Sequence, residues 1–136
     1  MCGQVVLANF NHLQKLGPRT FALWSAILRD NPNSSLWLLK FPREAEGHLH
    51  RAATAAGVQP RRIFLTDKFP LEEHLRIKRA ASLLLDTLEY NAHVSGLDAL
   101  WAGLPLVTLA GNPCLPCSLA SCAPHLYAAC GPKSLR

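Results

Sequence analysis

At 136 residues, 49% apolar and 17% charged, the chain has the makeup of one globular domain with a buried core, which excludes a disordered or fibrous polypeptide. Its formal net charge of +5 is spread without a basic run, and Lys133 and Arg136 near the end contribute to it. So diffuse an excess suits anionic ligands in general. With no aromatic-plus-basic motif, it gives nucleic-acid binding no support.

No apolar run approaches the ~18 residues of a membrane span. Val5–Ala8 is too short for the apolar part of a secretory signal, and Cys2 stands where N-myristoylation needs glycine. The expectation is a cytoplasmic or nuclear protein with reduced thiols and no membrane partner.

Val5–Ala8 reads as a first short strand, followed by a polar loop from Asn9 to Gly17. Pro18 suits a first helical position, and Phe21, Trp24, Ile27 and Leu28 recur at helical spacing up to Asp30. After the turn Asn31-Pro32-Asn33-Ser34, Leu36–Leu39 reads as a buried strand. Arg43–Ala56 is an alanine-rich helical pattern that stops at Gly57. Ile63–Leu65 is a third strand, Leu71–Ala80 a helix begun after Pro70, and Ser82–Leu85 a fourth strand. A polar loop from Asp86 leads to a short helix opening at Ser95-Gly96, and Pro105 starts a fifth strand, Leu106–Leu109.

Strands alternating with helices predict an α/β fold: a Rossmann-like open parallel sheet with right-handed crossovers. Such sheets bind ligands beyond the carboxyl ends of their strands. The loops Asn9–Lys15, Phe41–Glu44, Thr66–His74 and Asp86–Asp98 fall there. Residues 1–111 form this unit. Residues 112–136 break the pattern, holding four cysteines and no acidic residue, and are expected to be an irregular tail. Cys114 and Cys117 are spaced as the start of a zinc site, with His125 as a further ligand type. The other two cysteines lack a matching pair, so no metal site is expected.

The loop and helix start after Asp86 carry the chemistry. The first N–H groups of a helix lack internal partners, and its dipole adds positive charge, so the spot suits a phosphate. His93 and Ser95 stand where they could donate to it, and Asp98 could accept from sugar hydroxyls. Ser95 and Asp98 also have capping-box spacing, with Ser95 as N-cap, a structural role that sequence weighs equally. Lys15 could reach a diphosphate from the first loop, with His12 beside it. Glu72 and Glu73 suit the first turn of their helix, whereas His74 gains nothing there and could stack on a base. Trp24, Trp37 and Trp101 sit in apolar patterns and are expected in the core.

Read together, His93-Val94-Ser95-Gly96-Leu97-Asp98 followed by Leu100-Trp101-Ala102-Gly103-Leu104-Pro105-Leu106-Val107-Thr108 closely resembles the sugar-nucleotide motif of the O-linked N-acetylglucosamine (O-GlcNAc) transferases. Asn9-Phe10-Asn11, Lys15, the Pro32–Leu39 segment and Glu72-Glu73-His74 resemble further motifs of that family in the same order, so the resemblance runs over residues 5 to 111. His12 stands where the animal enzymes have glutamine, Val94 where they have threonine, and Leu71 where they have lysine.

The resemblance implies the C-terminal half of a two-lobed GT-B glycosyltransferase. UDP-GlcNAc would be the donor substrate, with no cofactor, and GlcNAc would pass to serine or threonine hydroxyls of proteins with inversion. His74 would stack on uracil and Asp98 bind ribose. His12, His93, Val94 and Ser95 would complete the donor contacts, and Lys15 would act catalytically on the departing UDP. Helical repeats that hold protein acceptors, and the first catalytic lobe, would lie elsewhere. This chain alone would then be inactive. The alternatives are a non-catalytic nucleotide-binding or scaffold domain of the same fold, and the related protein O-fucosyltransferase.

Overall fold

Successive side chains of a strand point to opposite faces, so a strand buried on both sides must be apolar throughout. In the computed structural model, which describes residues 3–109 and 127–129, the strands meet that condition except at their ends, where Asn9, Ser34, Ser35, Thr66 and Thr108 are polar. Strands β1 (Val5–Asn9), β2 (Ser34–Leu39), β3 (Ile63–Thr66), β4 (Leu83–Leu85) and β5 (Leu106–Thr108) are parallel, in the order β3-β2-β1-β4-β5. Leu7, Leu36, Leu38, Ile63 and Leu85 face one side. There they pack with Trp24 and Leu28 of α1 (Pro18–Asp30) and Ala53 of α2 (Ala45–Ala55). Ala8, Trp37, Leu84 and Leu106 face the other side, with Ala99 of α4 (Val94–Trp101) and Ile77 of α3 (Leu71–Lys78). The expected open α/β sheet, covered by helices on both faces, is what the chain forms.

Local chemistry sets the element ends. Pro18 opens α1, where a missing N–H costs nothing. Gly57 and Gly103, with φ of 74° and 80°, take the left-handed conformation just beyond α2 and α4. Arg62, a residue with no role in the sequence reading, ties three elements together: its guanidinium donates to the carbonyls of Ser34, Leu28 and Asn31 at 2.9, 2.7 and 2.7 Å. A cation at the carbonyl end of α1 also opposes the helix dipole favourably.

One expectation gains an addition and another needs correction. The sheet has six strands, because β6 (Tyr127–Ala129) pairs antiparallel with β5, Thr108 opposite Tyr127. Three residues are too few to show a period in sequence. The rest of the 112–136 segment, including its four cysteines and His125, lies outside the described residues. Trp24 and Trp37 are in the core, but Trp101 is 81% exposed. The buried face of α4 is made by Gly96 and Ala99, so Val94, Leu97 and Trp101 stand on its outer side. A helix with apolar residues on both faces hides which one is buried.

Candidate functional site

The connection leaving β1 runs to α1 on one face of the sheet, and the one leaving β4 runs to α4 on the other. Where neighbouring strands part in this way, their carboxyl ends frame a crevice. A cleft of about 470 Å³ opens there, lined by the loop after β1, the end of β2, the loop after β3, and the starts of α3 and α4.

Asparagines shape the first wall. Asn9 donates from Nδ2 to the Leu85 carbonyl at 2.6 Å, joining the ends of β1 and β4, and its Oδ1 accepts the Asn11 N–H at 3.0 Å. Asn11 in turn accepts from the Ser95 hydroxyl, so the first loop is tied to the first turn of α4. Asn11 Nδ2 is buried without a partner among the described residues.

Asp86 organises the second wall. Its buried carboxylate accepts from the N–H groups of Thr87 and Ala92 (2.8 and 2.7 Å), from Asn91 Nδ2 (3.2 Å) and from the Thr108 hydroxyl (2.6 Å). These bonds curl the chain back on itself and deliver it to α4 at His93. Glu89, in the same loop, accepts from the hydroxyl and N–H of Thr20 on α1, and Thr20 accepts the Leu88 N–H. Gly17 makes that approach possible, since a Cβ there would lie 2.5 Å from the Glu89 carboxyl.

His12, Lys15, His74, Ser95 and Asp98 converge on the cleft. Val94 and His93, which precede Ser95 in the chain, are not among its lining residues: the Val94 side chain is largely exposed, and the His93 ring meets Tyr90 edge-on at 5.6 Å. Lys15 Nζ lies 4.6 Å above the same Tyr90 ring. Tyr90 thus joins Lys15 to His93, a link that sequence spacing alone does not reveal. The capping box does not form. His93 is the N-cap residue, with no side-chain cap hydrogen bond, and Ser95 sits inside the first turn bonded to Asn11. Asp98 faces Lys78 instead, its Oδ2 3.7 Å from Nζ.

The charge pattern is asymmetric. Lys15, Lys68 and His12 line the cleft, and α4 opens toward it with no acidic residue in its first turn, leaving its N-terminal dipole uncompensated. Asp98 supplies the negative charge, one turn further in. His74 rests edge-on against Phe10, which itself meets Trp37 edge-on. Burial holds His74 below its ordinary value of 6.5; Lys78 pushes the same way and Asp98 opposes. The ring is therefore neutral at physiological pH. Such a site can hold a polyanion at one end and a flat base with a diol at the other. Among the described residues no cluster of three His, Cys, Asp or Glu is placed to hold a metal ion. A larger concavity of about 640 Å³ between α1 and α2 is walled mainly by Leu13, Leu16, Phe21, Leu49 and alanines, and lacks this chemistry.

The sequence profile of the family described as glycosyl transferase family 41 matches residues 3–128. The chain belongs to glycosyl transferase family 41. It is 41% identical over 105 residues to the UDP-N-acetylglucosamine–peptide N-acetylglucosaminyltransferase of Caenorhabditis elegans, covering 77% of this chain and 9% of that protein. It is 42% identical over 123 residues to the probable UDP-N-acetylglucosamine–peptide N-acetylglucosaminyltransferase SEC of Arabidopsis thaliana, covering 84% and 13%. Its fold is similar to that of a mutant Thermobaculum terrenum O-GlcNAc transferase, with a TM-score of 0.75 and 34% identity, over 80% of this chain and 22% of that one. The family 41 chain thus spans about a tenth of the length of these curated relatives. The resemblance seen in the sequence motifs is a family relationship.

Proposed function

We propose that this chain is the donor-binding lobe of a protein O-GlcNAc transferase and that UDP-GlcNAc binds in the cleft where β1 and β4 part. The observation that carries the reading is the meeting there of Lys15, His74, Ser95 and Asp98 with the open N-terminus of α4. The relatives' names supply the donor and the acceptor class.

In this reading the His74 ring stacks on uracil, and Asp98 accepts from the ribose hydroxyls. The diphosphate lies against the Val94 and Ser95 N–H groups, which have no acceptor within the helix. His93 donates to it, and His12 borders it. As the glycosidic oxygen–phosphate side departs, negative charge grows on the β-phosphate. Lys15 meets that charge as the catalytic cation, an interaction stronger in the transition state than in the bound donor. The acceptor hydroxyl attacks the opposite face of the anomeric carbon, giving inversion. The wall that presents that hydroxyl belongs to the other lobe of a GT-B enzyme.

Titration calorimetry of the 136-residue chain with UDP, uridine and pyrophosphate tests the assignment. Lys15→Ala and His93→Ala should each weaken UDP by about 1–3 kcal/mol, the scale of a charged hydrogen bond, and leave uridine unaffected. His74→Ala should weaken uridine and UDP alike. Equal loss of every ligand together with a fall in melting temperature would make these residues structural and defeat the reading.

A further inference from the structure

Lys78 is the largest fully buried side chain among the described residues, and its ammonium has no hydrogen-bond partner among them. Burying a cation in this way is costly, and a methionine would fill the same space without that cost. The surroundings of Nζ show what the charge acts on. It lies 3.7 Å from Asp98 Oδ2 and 5.8 Å from the centre of the Phe10 ring, which His74 touches on the cleft side. Phe10, His74 and Asp98 all line the cleft, so Lys78 stands directly beneath its nucleoside end.

We propose that Lys78 is a positioning residue for the donor's nucleoside, a buried cation that holds the Asp98 carboxylate as an acceptor facing the cleft and, one turn beyond His74 on α3, takes that ring's place as the carboxylate's cationic partner. The proposal rests on the donor-cleft reading and adds a residue to it. Asp98 is partly open to the cleft, so an ion pair at its inner oxygen leaves the outer one for a diol. A protonated His74 would be a rival cation for that carboxylate. Lys78 on α3 opposes the protonation and Asp98 on α4 favours it; His12, Lys15 and Lys68 are the other titratable groups bordering the same space. Lys78 is itself held below its ordinary value, by burial first, with Asp98 opposing.

The test uses the unliganded 136-residue chain and its Lys78→Met and Lys78→Gln variants, with the His74 ring followed by NMR from pH 4 to 8. Both variants should titrate His74 at least threefold more readily in proton affinity, while melting no lower than the parent. Uridine and 2′,3′-dideoxyuridine are then titrated into each. The parent's preference for uridine should fall about tenfold in both variants, and Asp98→Asn should abolish it whether or not Lys78 is present. An unmoved His74 midpoint, or an unmoved diol preference beside a moved midpoint, overturns the proposal. If the parent binds neither nucleoside, the donor reading itself fails. The unliganded titration still decides whether Lys78 governs His74. Should Lys78→Met unfold, Lys78→Gln carries the same comparison.

Discussion

Asp86→Asn is the sharpest test of how the second wall of the cleft is built. The substitution keeps Oδ1, which accepts from Thr87 and Ala92, and replaces Oδ2 with an amide that donates. At that position Asn91 Nδ2 and the Thr108 hydroxyl both donate to Asp86 in the parent. The Thr108 hydroxyl can rotate to accept, but Asn91 Nδ2 also serves the carbonyls of Thr87 and Leu109, so two donors are left face to face. Hydrogen bonds to charged groups contribute about 1.5–3 kcal/mol each. Losing one, weakening another and leaving a buried donor unmatched costs about 3 kcal/mol, a drop in melting temperature on the order of 10 °C for a domain of this size. Thermal unfolding measured with and without UDP is the assay. UDP binding should also weaken, because residues 86–92 set where α4 begins. A variant that melts within about 1 °C of the parent and binds UDP equally would refute the claim that this carboxylate organises the loop.

Arg62→Ala removes three charged donor contacts and frees the end of α1, and should destabilise by about 2–4 kcal/mol in denaturant unfolding without changing UDP affinity at saturating folded protein. Gly17→Ala drives Glu89 off Thr20, so it should cost as much as Glu89→Ala, and the double variant should cost no more than either, as melting temperatures would show. Desolvation, the largest single influence, pushes the Glu89 carboxyl up, but the hydrogen bonds from Thr20 and neighbouring N–H groups together pull it further down, leaving it below its ordinary value of 4.5. A depressed folded value means that the unfolded chain binds the proton more tightly, so this stabilisation is complete above pH 4.5 and fades as the pH falls through the folded value. Glu89→Gln should therefore flatten that part of the stability–pH curve, and a curve unchanged by the substitution would contradict the assignment.

The sheet was legible because its strands are short apolar runs set between helical periods, and parallel order follows from that alternation. Gly57 announced the end of α2 through the left-handed conformation that glycine adopts most easily. His12, Lys15, His74, Ser95 and Asp98 could be picked out because each lies in a loop or helix start beyond a strand's carboxyl end. What stayed hidden depends on contacts between distant segments. Asn11 matters because it bonds Ser95, Tyr90 because Lys15 and His93 meet on its ring, and Lys78 because the packing of α3 turns it inward. A lysine in the last turn of a helix reads in sequence as a solvated residue complementing the dipole. The Ser95–Asp98 spacing misled for a related reason: the N-cap is His93, two residues before the expected cap, and both side chains found partners on other elements.

If the cleft where β1 and β4 part receives the nucleoside diphosphate, backbone NMR shift mapping of the 136-residue chain titrated with UDP will show it there. Saturable shifts should concentrate at Asn11, Lys15, His74 and Val94–Asp98, with the imidazole signals of His74 moving with uridine alone. Shifts centred on the apolar groove between α1 and α2, or the absence of saturable shifts at the start of α4, would contradict that assignment.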